Sequence, residues 1–432
     1  MRAKKVTALL ISAILATGLL AGCGSSGGGQ GGESAEGNSG KIELEFFTQK
    51  REAADTFDKI IAEFNASQDE IVVTQNIVPD STSVLMSRAA TGDLPDIIQV
   101  GGMQDSNTMQ FMKEGHFLDL TGMECLNQVV DNYQEAIKFK GKNYVVPISA
   151  NFSGVYYNKD KFEEKGYTVP KTYDELIALA QKMQADGETP FLFPDKDSWT
   201  LVQCWEDNID GSARGDRKPV YMDIANGATT FQDDALFVET LQKVIDIRQY
   251  GQGDTLALGY DQAISDFATG KSCMFMQGIW ALPSIKKANP EMNIGMFSFP
   301  SNSGDTKVSM GIDVNLAISA KCANADAAKK FVEFAASKEM VQLYVDNDYS
   351  LPCMKDVNAN IPDAQEIVDL VAGGNGALQA TALPKAVSDE RQNTIQKVIV
   401  PEGGEDVNSF LTKLSEVFAE NKDEFLELYG GE

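Results

Sequence analysis

Phe267-Ala-Thr-Gly-Lys-Ser-Cys-Met-Phe-Met-Gln-Gly-Ile-Trp280 is the stretch on which the reading of this chain turns. Ile264 and Phe267 are apolar positions at a helix end, Gly270 stops that helix, and Cys273 to Met276 read as a short buried strand. Gly278 then precedes a Trp just past the strand's carboxyl end. In open α/β sheets, ligands bind in the crevice beyond the carboxyl ends of the strands. Trp280 therefore has two readings, a flat platform for a ligand or a core side chain, and the stretch alone leaves both open.

Outward from this stretch the chain alternates strand and helix. Ile42, Leu44 and Phe46 alternate with polar residues, a helical stripe follows at Phe57, Ile60, Ile61 and Phe64, and strands are expected at 71–78 and 97–100 with a helix at 84–90 between them. A buried strand at Asn143 to Ser149 runs on towards Tyr157. Phe191 to Phe193 reads as another strand, helices are expected around 199–206, 235–249 and 261–267, and strands at 293–299 and 309–318. Thr172 and Glu175 form a capping-box pattern, Asn324 is a helix N-cap, and 364–371 and 392–428 close the chain as helices. Gly101-Gly102 at the end of the third strand is either a tight turn or a point of close backbone approach.

The quoted stretch, read as F-x-x-G-K-x-x-M-x-x-x-G-x-W, resembles a hallmark of the family 1 extracellular solute-binding proteins, the carbohydrate-binding components of ABC importers that include the maltose-binding type. Leu94-Pro-Asp-Ile-Ile98, Tyr156-Tyr-Asn-Lys-Asp160 with Pro170-Lys-Thr-Tyr-Asp-Glu175, and Asn324-Ala-Asp-Ala-Ala-Lys-Lys-Phe-Val-Glu-Phe334 agree in order and spacing. The resemblance runs over roughly residues 41 to 420. It implies an α/β, two-lobe fold of the periplasmic-binding-protein type II, with discontinuous lobes and a hinge. One lobe takes 41–150 plus 312–362 and the other 151–311 plus 363–432.

The resemblance also implies a site between the lobes. Trp280 matches the family's stacking Trp, and Trp199 lies in a loop that carries further sugar contacts, with Asp195 as its polar partner. Asn151 stands where the maltose type has a ligand-bonding acid, Gln49 and Lys50 follow strand one, and Asp313 lies near the second crossover. Two places depart from the maltose type: Val100-Gly-Gly replaces a Trp with acidic and basic contacts, and Pro384 to Arg391 replaces a late Trp. The implied ligand is thus a sugar or oligosaccharide, not maltodextrin in particular. From the residues themselves, Trp199 and Trp205 also fit the core side of a helix, Asp195 a turn, and Asp313 a solvated strand end.

The N-terminus sets the compartment. Arg2, Lys4 and Lys5 precede an apolar run from Val6 to Leu20, shorter than a spanning helix, and Leu20-Ala-Gly-Cys23 has the form of a lipobox. Residues 1–22 read as a signal peptide, Cys23 as the lipidated first residue of the mature chain, and the rest of 23–40 as a flexible Gly/Ser linker. The expected location is the cell membrane, lipid-anchored and facing outward, as a monomer that meets the membrane-embedded subunits of an ABC permease. The net charge of -26 becomes -29 once three basic residues leave with the signal, 34 basic against 63 acidic, and disfavours nucleic acid as a partner.

Chemistry is sparse. One histidine, His116, leaves little for a His-based triad or metal site, and neither a metal nor a cofactor is expected. Ser265 to Ser272 imitates a P-loop but lacks its first Gly, and Asp356-Val-Asn-Ala-Asn360 lacks the Gly and Glu of a calcium loop. The five cysteines after Cys23 show no zinc spacing and read as buried hydrophobes, with one disulfide left open. A binding protein is the expectation. A secreted glycan-cleaving enzyme using Asp195 or Asp197, and an adhesion or scaffold lipoprotein on the same fold, are its alternatives.

Overall fold

The computed structural model describes residues 40–78, 81–400 and 404–430. The expected signal peptide, Cys23 and the linker as far as residue 39 lie outside the described residues. The strands described are β1 (Ile42–Thr48), β2 (Ile71–Ile77), β3 (Ile97–Val100), β4 (Lys138–Phe139), β5 (Lys142–Asn143), β6 (Val145–Asn158), β7 (Met274–Gly278), β8 (Ile294–Phe297), β9 (Val308–Ile318), β10 (Leu351–Pro352) and β11 (Gly376–Leu378). Apart from the β4–β5 hairpin they form one sheet.

β2, β1 and β3 run parallel, with Leu44 opposite Val73 and Phe46 opposite Ile97, and are joined through the helices Ala54–Ser67 and Ser81–Thr91. Parallel strands need such crossovers, and the helices cover the faces that Phe46, Phe47, Ile97 and Ile98 would otherwise expose to water. β9 then pairs antiparallel with β3 through Asn315 to Ile318.

β6 and β9 are the members shared by both halves of the sheet. Val145 to Phe152 of β6 pairs with β9, whereas Ser153 to Asn158 pairs with β7 on one side and β8 on the other. β9 in turn pairs with β3 at its far end and with β11 at Val308 to Met310. The β6–β9 register shifts between Pro147 and Ala150, where Pro147 has no N–H to give the ladder. A bulge re-aims the strand, and here it falls where β6 leaves one half of the sheet for the other.

Two hydrophobic clusters result. One centres on Phe46, Phe57, Phe64 and Phe331, whose rings meet at centroid distances from 4.9 to 5.7 Å. The other gathers Phe191, Phe193, Trp205, Phe237 and Phe418. Trp280 packs against both.

Local readings hold in most places. Thr172 accepts from the Glu175 N–H at 3.3 Å, and the Glu175 carboxylate accepts from the Lys171 N–H at 2.7 Å, so the capping box closes on the helix Tyr173–Ala185. Asn324 does stand at the N-cap of Ala325–Ala335, but its side chain makes no capping bond. The expected strand at Phe191 to Phe193 shrinks to a single bridge from Phe191 to Met274. Pro190 and Pro194 flank it, and the Gln252 side chain takes up both backbone groups of Phe193, at 3.0 and 2.7 Å. The cysteines Cys125, Cys204, Cys273, Cys322 and Cys353 are all unpaired thiols.

Candidate functional site

Gln49 and Lys50 leave the carboxyl end of β1, and the neighbouring strand holds them there. The Gln99 side-chain oxygen accepts from the backbone N–H groups of Gln49 and Lys50 at 3.0 and 3.1 Å. The Gln49 amide is spent on structure, donating to the Gln99 carbonyl at 3.2 Å and accepting from the Thr82 hydroxyl at 3.2 Å. Lys50 turns inward. Its ammonium lies 2.5 Å from Asp313 on β9 and 2.8 Å from Asp348 at the end of the helix Lys338–Asp348.

Burial opposes charge on Lys50, but the two carboxylates outweigh it and hold the ammonium well above its usual pKa. Burial pushes Asp348 up to about 6, with Lys50 pulling it down and Asp313 pushing it further. Glu52, half-buried one turn on, is likewise raised by burial, with Lys50 as its main counterweight. Two carboxylates therefore share one ammonium, with the Glu52 carboxylate beside them, and the knot is net acidic.

The opposite half supplies aromatic faces. Gly270, at φ 78°, ends the helix Tyr260–Ala268 as its sequence position requires, and β7 delivers Trp280 beyond its carboxyl end. Trp280 is half-buried, with Trp199 at 6.4 Å, and Trp199 meets Tyr260 at 4.9 Å in an edge-on contact. The two readings of the tryptophans thus separate. Trp205 is fully enclosed core, against Phe193 at 5.0 Å, whereas Trp199 and Trp280 keep part of their surface in solvent.

A cleft of about 430 Å³ lies between these halves, lined by Arg51, Glu52 and Asp55 on one side and Tyr260, Asp261 and Lys287 on the other. Two buried polar groups of the aromatic half, one of them on a residue lining the cleft, lack protein partners. The Tyr260 hydroxyl has none, and neither does the side-chain N–H₂ of Gln277, whose oxygen accepts from the Cys204 thiol at 3.0 Å. Orphaned donors inside a fold are costly unless something else satisfies them. A second cleft, about 700 Å³, is lined by Met103, Phe139, Lys140, Ala380 and Tyr429; the linings of both clefts lack all seven residues expected from the sequence, and the first adjoins them through Glu52 and Tyr260.

The remaining expected residues fall in different places. Asn151 pairs with Gly311 across β6 and β9 and is half-buried, and its side chain has no hydrogen-bond partner among the described residues. Asp195 is not brought to the cleft surface. It is fully enclosed and held by Arg248 at 2.9 and 3.1 Å, while Arg248 lies over the rings of Phe193 and Trp205. Asp197 accepts from the Tyr260 N–H at 2.7 Å and so fixes the start of that helix. The Gly101-Gly102 pair serves close approach within the fold: a β-carbon on Gly102 would meet the Ile312 carbonyl at 2.5 Å. Arg391 is buried with Glu206 at 2.9 Å and with Asp207, which Arg217 also binds.

Glu52, Tyr260, Gln277 and Asp348 are the polar members that sequence reasoning missed. Gln277 lay within the stretch first quoted, as a polar residue in an otherwise apolar strand. Asp348 carried no local signal, because its role depends on a lysine 298 positions away.

A family model described as bacterial extracellular solute-binding protein matches residues 49–342. The chain belongs to the bacterial extracellular solute-binding proteins. It is 34% identical over 345 residues to the multiple sugar-binding protein of Streptococcus mutans, spanning 78% of this chain and 80% of that one. An uncharacterized ABC transporter extracellular-binding protein of Pyrococcus horikoshii is 25% identical, over 82% of this chain and 80% of its own. The solved structure of RafE in complex with raffinose superposes with a TM-score of 0.76 at 26% identity, over 88% of this chain and 100% of that one. Apo RafE from Streptococcus pneumoniae gives 0.73 at 27%, over 90% and 100%. The fold of this solute-binding protein is accordingly the type II arrangement, with β6 and β9 as the strands that both halves of the sheet share. The relatives are binding proteins of the extracellular side. Among the described residues, no helix is long and apolar enough to cross a membrane.

Proposed function

We propose that this solute-binding protein captures a neutral sugar or oligosaccharide between its lobes and delivers it to an ABC permease. The observation that carries the reading is a pair of half-buried indole rings, Trp199 and Trp280, continued through Tyr260 into a cleft whose other wall carries Glu52, two residues after the Lys50 knot, and where the Tyr260 hydroxyl has no protein partner. Sugars offer flat C–H faces rimmed by hydroxyls, and need aromatic planes with convergent polar groups. The named relatives, a multiple sugar-binding protein and a raffinose complex, support the same class of ligand. In this reading Trp280, Trp199, Asn151 and the group of Gln49, Lys50 and Asp313 form the site, while Asp195 holds the loop that carries Trp199. The lobes are 41–150 plus 312–362 and 151–311 plus 363–432, and closure works because a ligand that touches both favours the closed state.

Thermal shift against raffinose, stachyose, maltotriose and chitotriose tests the reading. A ligand at 100 times its Kd stabilises the folded state by about 2.7 kcal/mol. No stabilisation by any of the four, together with release of products from a glycan, would favour an enzyme instead. The reading also places the protein at the outer face of the membrane through lipid on Cys23, as a monomer. Cys23→Ala is expected to move it to the soluble fraction; continued acylation and membrane fractionation of that variant would refute the anchor.

A further inference from the structure

We propose that Glu52 and Tyr260, from opposite lobes, read one hydroxyl group of the bound sugar between them: the Glu52 carboxylate accepts the hydroxyl's proton and the Tyr260 phenol donates to its oxygen. The inference rests on the sugar-binding reading above and adds to it a pair of specificity-determining residues. It also adds a charge class, because a carboxylate at this point disfavours uronate-containing or phosphorylated sugars.

Glu52 follows Lys50 in the short turn Arg51–Ala53 and lines the cleft. No side chain among the described residues hydrogen-bonds or ion-pairs with its carboxylate. The nearest cation cannot serve it, because Lys50 is already bound by Asp313 and Asp348 at 2.5 and 2.8 Å. The cations of the cleft form no pair with it either: Lys59 donates to Asn347 at 2.7 Å, and the exposed Arg51 and Lys287 lie loosely beside Asp261 and Asp55, at 3.9 and 3.8 Å. Glu52 is thus an acceptor with unused lone pairs.

Across the cleft, the Tyr260 hydroxyl is enclosed and has no partner. Burial and then the Glu52 charge hold the phenol well above its usual pKa, so it keeps its proton and is a donor. The two residues line the same cleft and form no hydrogen bond to each other. An acceptor and a donor separated by a gap fit a group that donates and accepts at once, and a sugar hydroxyl is such a group. An anion at this point would meet the Glu52 charge directly, with the cations of the cleft, Arg51, Lys59 and Lys287, turned to Asp261, Asn347 and Asp55.

The test is calorimetric titration with whichever of raffinose, stachyose, maltotriose and chitotriose binds the wild type most tightly, alongside trigalacturonate. Glu52→Gln and Tyr260→Phe should each weaken binding of the neutral sugar about tenfold or more, since each leaves a ligand group unsatisfied. The double variant should lose less than the product of the two, because the hydroxyl is shared. Glu52→Gln should also raise affinity for trigalacturonate relative to the neutral sugar. Melting of the ligand-free variants checks that each remains folded. Wild-type affinity in both single variants, or losses that multiply, would overturn the pair while leaving the sugar reading intact. Failure of all four sugars to bind the wild type would overturn that reading and the pair with it.

Discussion

Gly278 and Trp280 share one volume: a β-carbon on Gly278 would stand 2.0 Å from Cζ3 and 2.1 Å from Cη2 of the Trp280 indole. The ring folds back over the strand end that delivers it, which gives a physical reason for a glycine two positions before this tryptophan. Gly278 is extended, at φ -75°, so space rather than backbone freedom is what the position demands. Gly278→Ala must push the indole off this seat. Overpacking of this kind costs about 1–3 kcal/mol, and ligand affinity should fall with it. Chemical denaturation and calorimetry of the variant check both; wild-type affinity would mean that the ring's position is immaterial to binding.

Trp280 and Trp205 offer a comparison within one chain. Trp205 is completely buried, so Trp205→Ala should remove about 3–5 kcal/mol of stability. Trp280 is half-buried against both clusters, and Trp280→Ala should cost the fold clearly less. It should cost binding roughly 1.5 to 3 kcal/mol, the scale of an aromatic face covered by a ligand. Equal destabilisation by the two variants, with affinity unchanged in Trp280→Ala, would make Trp280 a core residue after all.

Asp348 makes stability depend on pH in a direction opposite to that of an ordinary salt-bridged acid. Its native pKa is pushed up to about 6, above the unfolded value of about 3.9, so between these values the folded chain binds more protons than the unfolded one. Its contribution therefore falls as pH rises through that window, by on the order of 3 kcal/mol in all. Lys50, Asp313, Glu52 and Tyr344 are the titratable neighbours that shape this value. In Asp348→Asn the term is absent, so the stability of the variant relative to wild type should climb between about pH 4 and about pH 7. Paired denaturation curves across that range measure it, and a flat or falling difference would contradict the assignment.

What the sequence disclosed and what it withheld follow one division. Strands β1, β2, β3 and β9, and the cap at Thr172, are local patterns of alternation and spacing, legible without any tertiary knowledge. Trp280 was legible as a candidate because Gly270 and Gly278 mark the ends of its strand. The Lys50 knot was only half legible: Asp313 was visible near a crossover, but Asp348 sits at the end of a helix that the sequence reading passed over. Asp195 misled for the converse reason. A carboxylate in a polar loop looks exposed until Arg248, 53 positions on, is folded over it. Glu52 and Tyr260 acquire meaning only when the two lobes face each other.

With the lobes divided as proposed above, ion pairs tie them at both edges of their boundary, and this yields the last prediction. Arg51–Asp261 at 3.9 Å and Lys287–Asp55 at 3.8 Å bridge the cleft on one edge, and Lys113–Glu424 and Lys140–Glu427, both at 2.7 Å, bridge the other. These pairs are at least partly exposed, so each contributes only weakly. Two conformations of a binding protein need differ by only a few kcal/mol, so the four together are enough to bias the ligand-free lobes towards closure. Screening shortens the reach of such charges from about 10 Å at 0.1 M salt to about 3 Å at 1 M. Small-angle scattering of the ligand-free protein should therefore show a larger radius of gyration at high salt. Saturating sugar, which supplies its own contacts to both lobes, should restore compaction at either ionic strength. Lys113→Gln with Lys140→Gln should reproduce the salt effect at low salt; a radius that ignores both salt and these substitutions would show that the ion pairs do not govern closure.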